Sequence, residues 1–218
     1  MIVSLLASLV FAKHGALMLV GGTQVTPEIL KTLGELSGGK DTSIVILGQA
    51  MAKPNEALKW KVQLNDSGFG HVFLEALDRF TDEDRKKLEG RLDQSSAVWV
   101  PDGDAALFIK RFGLAWCHKV FTKFIERGGT WCGFNAGAAL AGDPMFEGET
   151  SVAGIGLIDA VVDYDYYDKH RELRLRNAYF GCRAQLGIGL NPGEWMVIRD
   201  TVIEKKVGQP QVFLRESG

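Results

Sequence analysis

The sequence predicts an α/β protein with a mostly parallel central sheet between helices. Over the first two thirds of the chain, short apolar runs alternate with amphipathic stretches, as parallel strands alternate with crossover helices. The chain has 218 residues, of which 46% are hydrophobic, enough to bury a full core. We therefore predict one domain over residues 1–218, a three-layer α/β/α sandwich.

The strands and helices of this sandwich can be assigned in chain order. Thr26 and Pro27 supply an N-cap and a first-turn proline for a helix that ends near Leu36. Thr81 precedes a charged run with acids at its start, which predicts a surface helix. The apolar runs predict strands at residues 16–20, 43–47, 71–74, 97–100 and 130–132.

The last third of the chain has a different pattern. After about Thr150 the sequence has short strand-like runs punctuated by glycine and proline. One charged helix is predicted between them, over residues 169–179.

The first twelve residues, MIVSLLASLVFA, form an apolar extension. The run ends in a small residue, as a secretory signal would, but it lacks a basic n-region. We favour an added strand or short helix that covers a sheet edge or a subunit interface, since soluble monomers rarely expose such a patch. Deleting it is then expected to lower the melting temperature or cause aggregation. This interpretation favours a cytoplasmic protein, and it is compatible with a homodimer.

Composition argues against several kinds of partner. A net charge of -2 without a basic stripe argues against nucleic acid, and no apolar run approaches the ~20 residues of a membrane span. No cofactor is expected, because Gly21 and Gly22 do not continue into a dinucleotide fingerprint. No metal is expected, because the histidines are scattered without an i,i+4 pair. Three cysteines without CxxC spacing are predicted to be reduced and structural.

The segment 129–145, GTWCGFNAGAALAGDPM, has the pattern of a nucleophile elbow. A short apolar strand runs into a small-residue turn and an Ala-rich helix start. The presented residue is Asn135, whose carboxamide has no lone pair that a base can usefully activate. Asparagine tolerates the positive φ of such a turn, so Asn135 could also be a turn residue. Cys132 is predicted to be core.

Three loops are expected to meet at one edge of the sheet. They are Gly21 with Gly22, the turn 101–104, and the elbow. Each follows a predicted parallel strand, and functional groups of such sheets gather at the carboxyl ends of the strands.

Four motifs in this order resemble a known family. Residues 133–138 (GFNAGA) are similar to a G-T-S-A-G-A elbow, and 101–105 (PDGDA) to T-G-G-D-Q. Residues 154–166 are similar to G-L-G-L-L-P-G-V-V-I-D-Q-H-F, and 187–192 to G-I-G-I-D-E. From Ala16 onward the chain thus resembles the serine peptidases that include cyanophycinase and aspartyl dipeptidase (peptidase E). The resemblance implies a class I glutamine amidotransferase-like (flavodoxin-like) fold.

The departures from this family fall on its chemistry. The resemblance places Asn135 at the nucleophile position and Asp165 at the histidine position. The Gln of the loop becomes Ala105, and the acidic pair of the last motif becomes Asn191 and Pro192. A Ser-His pair works because the imidazole takes the hydroxyl proton and returns it to the leaving group. Losing both members is expected to remove most activity.

Binding groups of the family are matched elsewhere. The amide of Ala136 and an amide of the Gly103 and Asp104 turn would point at an oxyanion, because that site is built from backbone. Two arginines of the family match Arg171 and Arg174. With Gly22, these residues are the predicted oxyanion and binding groups.

The leading functional expectation is a family member without serine peptidase activity. It would act as a binding or interaction protein that holds a small peptide or amino acid in the old cleft. One alternative is a hydrolase of acidic or Asp-containing peptides, with Asp165 as general base on a water. Another is a structural subunit of an oligomer. The acids and tyrosines of segment 163–168 either bind a cation or basic side chain, or form a packed strand end.

Overall fold

A computed structural model describes residues 15–182 and 184–215 of the chain. The predicted packing of residues 1–12 lies outside these residues. The strands are β1 Ala16–Val20, β2 Ser43–Leu47, β3 His71–Glu75, β4 Ala97–Val100, β5 Thr130–Phe134, β6 Met145–Glu147, β7 Thr150–Val152, β8 Ala160–Tyr164, β9 Leu186–Leu190, β10 Trp195–Arg199, β11 Val202–Val207 and β12 Gln211–Leu214. The α-helices are α1 Pro27–Ser37, α2 Leu58–Asp66, α3 Asp82–Asp93, α4 Ala105–Phe112, α5 Leu114–Glu126, α6 Ala136–Ala139 and α7 Glu172–Gly181.

Seven strands form the central sheet in the order β11-β10-β1-β5-β4-β2-β3. The five strands from β1 to β3 in that order are parallel, while β10 pairs antiparallel with β1. Thr130 at the start of β5 pairs with Ala16 of β1 and Ala97 of β4. This common register brings the carboxyl ends of β1, β4 and β5 together.

Alternating side chains of the sheet build two cores. On one face, Leu17 and Leu19 of β1 pack in a cluster that also contains buried residues of α3, α4 and α5. On the other face, Met18 and Val20 pack with residues of α1 and α2. The alternation follows from the two-residue period of a strand. The result is a sheet between two helical layers.

Local sequence signals fix the helix ends. The Thr26 side chain accepts from the Ile29 amide at 3.3 Å, and Gly38, which has a φ of 90°, caps α1 after its last residue, Ser37. Thr81 and Asp84 form a capping box at the start of α3. These caps satisfy donors that the first helical turn leaves free.

The last third of the chain forms smaller units. A three-stranded sheet has the order β12-β9-β8, and β6 pairs with β7 as a hairpin. The helix predicted over 169–179 begins at Glu172 instead, because the chain turns first, with positive φ at Asp165 and His170. Within residues 15–182 and 184–215, no helix is long and apolar enough to cross a membrane.

Candidate functional site

Asn135 lies at a sharp turn between β5 and α6. Its φ of 46° and ψ of -107° are unusual for a residue other than glycine. Its amide donates to the Val20 carbonyl at 2.8 Å, which ties the turn to the end of β1. Strand, turn and helix therefore follow one another as the sequence predicts.

Close backbone contacts hold the elbow. A Cβ at position 133 would lie 2.2 Å from the Gly137 carbonyl oxygen, and one at position 137 would lie 2.3 Å from the Val100 oxygen. Both positions require glycine, because no side chain fits so near a carbonyl. The elbow is thus locked against the end of β4.

The Asn135 side chain joins the three predicted loops. Its Oδ1 accepts from the Gly22 amide at 2.5 Å, and its Nδ2 donates to Asp102 Oδ2 at 3.0 Å. The residue is only 5% exposed. Its carboxamide is therefore a buried crosslink between the loops after β1 and β4.

The Asp102 carboxylate accepts hydrogen bonds from two of the amides that were predicted to form the oxyanion site. Ala136 donates to Asp102 Oδ1 at 3.2 Å, and Gly103 donates to the same oxygen at 2.8 Å. The Asp104 amide donates instead to the Ala50 carbonyl at 2.8 Å, because the turn closes on the segment after β2. Of the two amides in this turn, that of Gly103 is therefore the one that donates to the carboxylate at the elbow, and the Asp104 side chain caps α4.

Asp102 was not among the predicted site residues. A signal for it lies in the loop comparison, since the first glycine of T-G-G-D-Q is Asp102 here. A glycine has no side chain to bring to the elbow, whereas an aspartate has a carboxylate. This substitution places a negative charge among the elbow donors.

Asp165 follows β8, with a φ of 51°. Its carboxylate forms an ion pair with Lys169 at 2.7 Å. Among the residues that the structure describes, no hydrogen bond joins its side chain to Asn135. The same loop contacts motif 187–192, because the Tyr167 amide donates to Asn191 Oδ1 at 2.8 Å.

Arg171 and Arg174 converge on Asp163 at the end of β8. Asp163 is fully buried, and Arg174 Nε donates to its Oδ2 at 2.9 Å. Arg171 Nη1 lies 3.5 Å from Asp163 Oδ1 and also donates to the Tyr164 carbonyl. These predicted binding cations are therefore engaged in a buried ion network.

Tyr164 belongs to segment 163–168, which the sequence singles out for its acids and tyrosines. Partial burial raises the pKa of its phenol, and the nearby negative charge of Asp102 raises it further. The Arg171 guanidinium lies over the Tyr164 ring, with its central carbon 4.9 Å from the ring centroid. Tyr164 thus lies against the ion network, and the charge of Asp102 acts on its pKa.

Alkaline titration checks this placement. A raised folded pKa gives stability that is present below the ordinary pKa of tyrosine, near ~10, and is lost as pH rises through the folded value. We expect Asp102→Asn to lower the pKa of Tyr164 in a tyrosinate difference titration against Tyr164→Phe. Asp93→Asn, which alters an exposed acid on α3, serves as control. An unchanged Tyr164 pKa in Asp102→Asn would show that the Asp102 charge does not act on this phenol.

The cysteine nearest to the elbow is buried in the core. Burial raises the pKa of the Cys132 thiol, so a reactive thiolate is disfavoured beside the elbow. The part of the chain that the structure describes contains no group of three or more His, Cys, Asp or Glu residues that could hold a metal ion.

A cavity of about 660 Å³ lies between the β6-β7 hairpin and α7. Its lining includes His170, Arg174 and Asn177, together with Phe146 and Leu173. This volume falls in the range of small-molecule sites, ~300–1,000 Å³. The lining does not include Asn135.

Comparisons with known proteins bear on the fold. No protein-family model and no curated protein matches the sequence. The structure is similar to the crystal structure of a peptidase from an acI-B1 Actinobacterium, with a TM-score of 0.64 and 17% identity over 93% of this chain and 98% of that one. It is also similar to a candidate peptidase E protein from Listeria monocytogenes EGD-e, with a TM-score of 0.63 and 13% identity over 89% and 100% of the two chains. The chain therefore has a peptidase E-like fold, a mixed α/β architecture with a mostly parallel central sheet, which confirms the predicted fold class.

Proposed function

We propose that this chain is a peptidase E-like protein without serine peptidase activity that acts as a binding protein in the cytoplasm. The observation that carries the proposal is the Asn135 side chain, which spans Gly22 and Asp102 at the nucleophile position. A carboxamide held by both of its polar atoms has no route to a covalent acyl intermediate. The elbow is then a structural junction.

The histidine position supports the same proposal. The Asp165 carboxylate is paired with Lys169, and its side chain is 17% exposed. A general base must reach the proton that it abstracts, directly or through one water. The ion pair holds the Asp165 carboxylate on Lys169 of its own turn, so the general-base alternative gains no support from this geometry.

A peptidase assay tests the loss of activity. We expect purified protein to hydrolyse neither aspartyl dipeptides nor β-Asp-Arg polymer above a buffer blank, and to take no label from a fluorophosphonate. Turnover near the ~10 per second of a median enzyme would refute the proposal. Hydrolysis that disappears in Asp165→Asn would establish the general-base alternative instead.

The ligand that we propose is a small peptide or amino acid, and the cavity beside α7 can hold it. Asn177 lines this cavity from an exposed position on α7. Arg174, at another part of the lining, is held by Asp163 and by the Gly148 carbonyl at 2.6 Å. Arg174 is therefore fixed before a ligand enters, which limits the entropy that this side chain loses on binding.

A thermal-shift screen with acidic and basic dipeptides tests binding. A ligand at 100 times its Kd contributes about 2.7 kcal/mol, which raises the melting temperature by ~5–10 °C in a chain of this size. We expect Asn177→Trp, which fills the cavity mouth, to abolish the shift. Arg176→Trp alters the next exposed position outside the lining and is expected to keep it. A shift that survives Asn177→Trp would place the ligand elsewhere.

A further inference from the structure

The Asp102 carboxylate lies where acyl-transfer chemistry places an oxyanion. In a nucleophile elbow, the amide after the nucleophile and an amide from a neighbouring loop stabilise that oxygen. Here the Ala136 and Gly103 amides donate to Asp102 Oδ1 at 3.2 and 2.8 Å. Donors to an oxyanion lie at ~2.7–3.1 Å. The Gly103 distance falls within this range and the Ala136 distance lies just beyond it, and Asp102 Oδ1 carries negative charge as an oxyanion does.

The second oxygen of the carboxylate is held as well. Asp102 Oδ2 accepts from Asn135 Nδ2 at 3.0 Å, while Asn135 Oδ1 accepts from Gly22. Hydrogen bonds to a charged acceptor are stronger than neutral ones. A substrate carbonyl, being neutral, would have to displace a charged group that already uses the same donors.

We propose that Asp102 closes the oxyanion site of this elbow from within. The block is separate from the missing nucleophile, although the inference rests on the proposed loss of peptidase activity. Its consequence is that restoring serine and histidine alone leaves the elbow unreactive. Asp102 thus joins Asn135 and Asp165 among the positions that separate this chain from a working acyl-transfer site.

Amide hydrogen exchange tests whether Asp102 occupies the oxyanion site in a protein that keeps Asn135. We expect Asp102→Ala to speed exchange of the Ala136 amide at least about tenfold, because the variant removes its charged acceptor. Asp104→Asn is the matched control, since it removes a charge from the same turn but keeps a side-chain oxygen to cap α4. An unchanged Ala136 exchange rate in Asp102→Ala overturns the proposal.

A phosphonylation assay tests the block on chemistry. The background is the double variant Asn135→Ser with Asp165→His, treated with a fluorophosphonate. The introduced hydroxyl oxygen attacks phosphorus, fluoride leaves, and the introduced imidazole takes the hydroxyl proton. We expect adding Asp102→Gly to this background to raise the labelling rate about 100-fold, the effect of one oxyanion donor.

Controls separate this inference from the proposed function. Adding Asp104→Asn to the double variant is expected to leave the labelling rate unchanged. If Asp102→Gly does not fold by circular dichroism, Asp102→Ala replaces it. Equal labelling with and without Asp102, including none in either, overturns the inference. Hydrolysis by the unaltered chain would instead overturn the proposed function, whatever the variants do.

Discussion

Replacing Asp163 by asparagine is expected to lower the free energy of unfolding by about 3–5 kcal/mol. Asp163 is fully buried and accepts from Arg174 and from the Tyr164 amide. The carboxamide would turn an N–H group toward the guanidinium donors. Two arginines would keep their charge in a partly buried place without the carboxylate that compensates it, and that uncompensated charge is the source of the cost.

Urea denaturation measures this effect, with an exposed ion pair as the control. Asp93→Asn removes the same charge from an exposed pair with Lys123, 3.4 Å apart, and is expected to cost less than ~1 kcal/mol. Similar losses in the two variants would show that the Asp163 network contributes no more than a surface pair.

The Asp163 network also bears on the site. Arg174 packs on the Phe146 ring, 4.3 Å from its centroid, and holds the Gly148 carbonyl of the β6-β7 turn. The same carboxylate lies one residue before Tyr164, whose pKa responds to Asp102. The Asp163 carboxylate thus holds Arg174, which forms part of the cavity wall and contacts the β6-β7 turn.

Most of the sheet could be predicted from the sequence. The runs at 16–20, 43–47 and 97–100 coincide with β1, β2 and β4. These strands are buried on both faces, and such strands are near-continuous apolar runs that local composition reveals. The start of α7 could not be predicted, because the positive φ at Asp165 and His170 arises from contacts with the loop at Asn191 and from local turns.

The site was predictable in its backbone and much less so in its side chains. The elbow motif indicates where Asn135 lies, because a strand, a small-residue turn and a helix start are local features. Which donors meet which acceptors depends on three loops that are distant in sequence. The sequence alone therefore does not identify Asp102 as a partner of Asn135, and it predicts the two arginines as ligand groups although they are partners of Asp163.

Two helical glycines are expected to respond to alanine in opposite directions. Gly137→Ala would place a Cβ 2.3 Å from the Val100 carbonyl oxygen, while nothing lies within 4 Å of a Cβ at Gly90 in α3. We expect Gly90→Ala to stabilise the protein by about 0.5–1 kcal/mol, because alanine loses less backbone entropy. We expect Gly137→Ala to destabilise it by about 3 kcal/mol, because the backbone of a central strand cannot move aside cheaply. Urea denaturation of both variants measures these two changes. Equal stability of the two variants would mean that the elbow does not pack closely against β4. The loss of unfolding free energy in Gly137→Ala thus measures how tightly the fold positions the neighbouring Ala136 amide, which donates to Asp102.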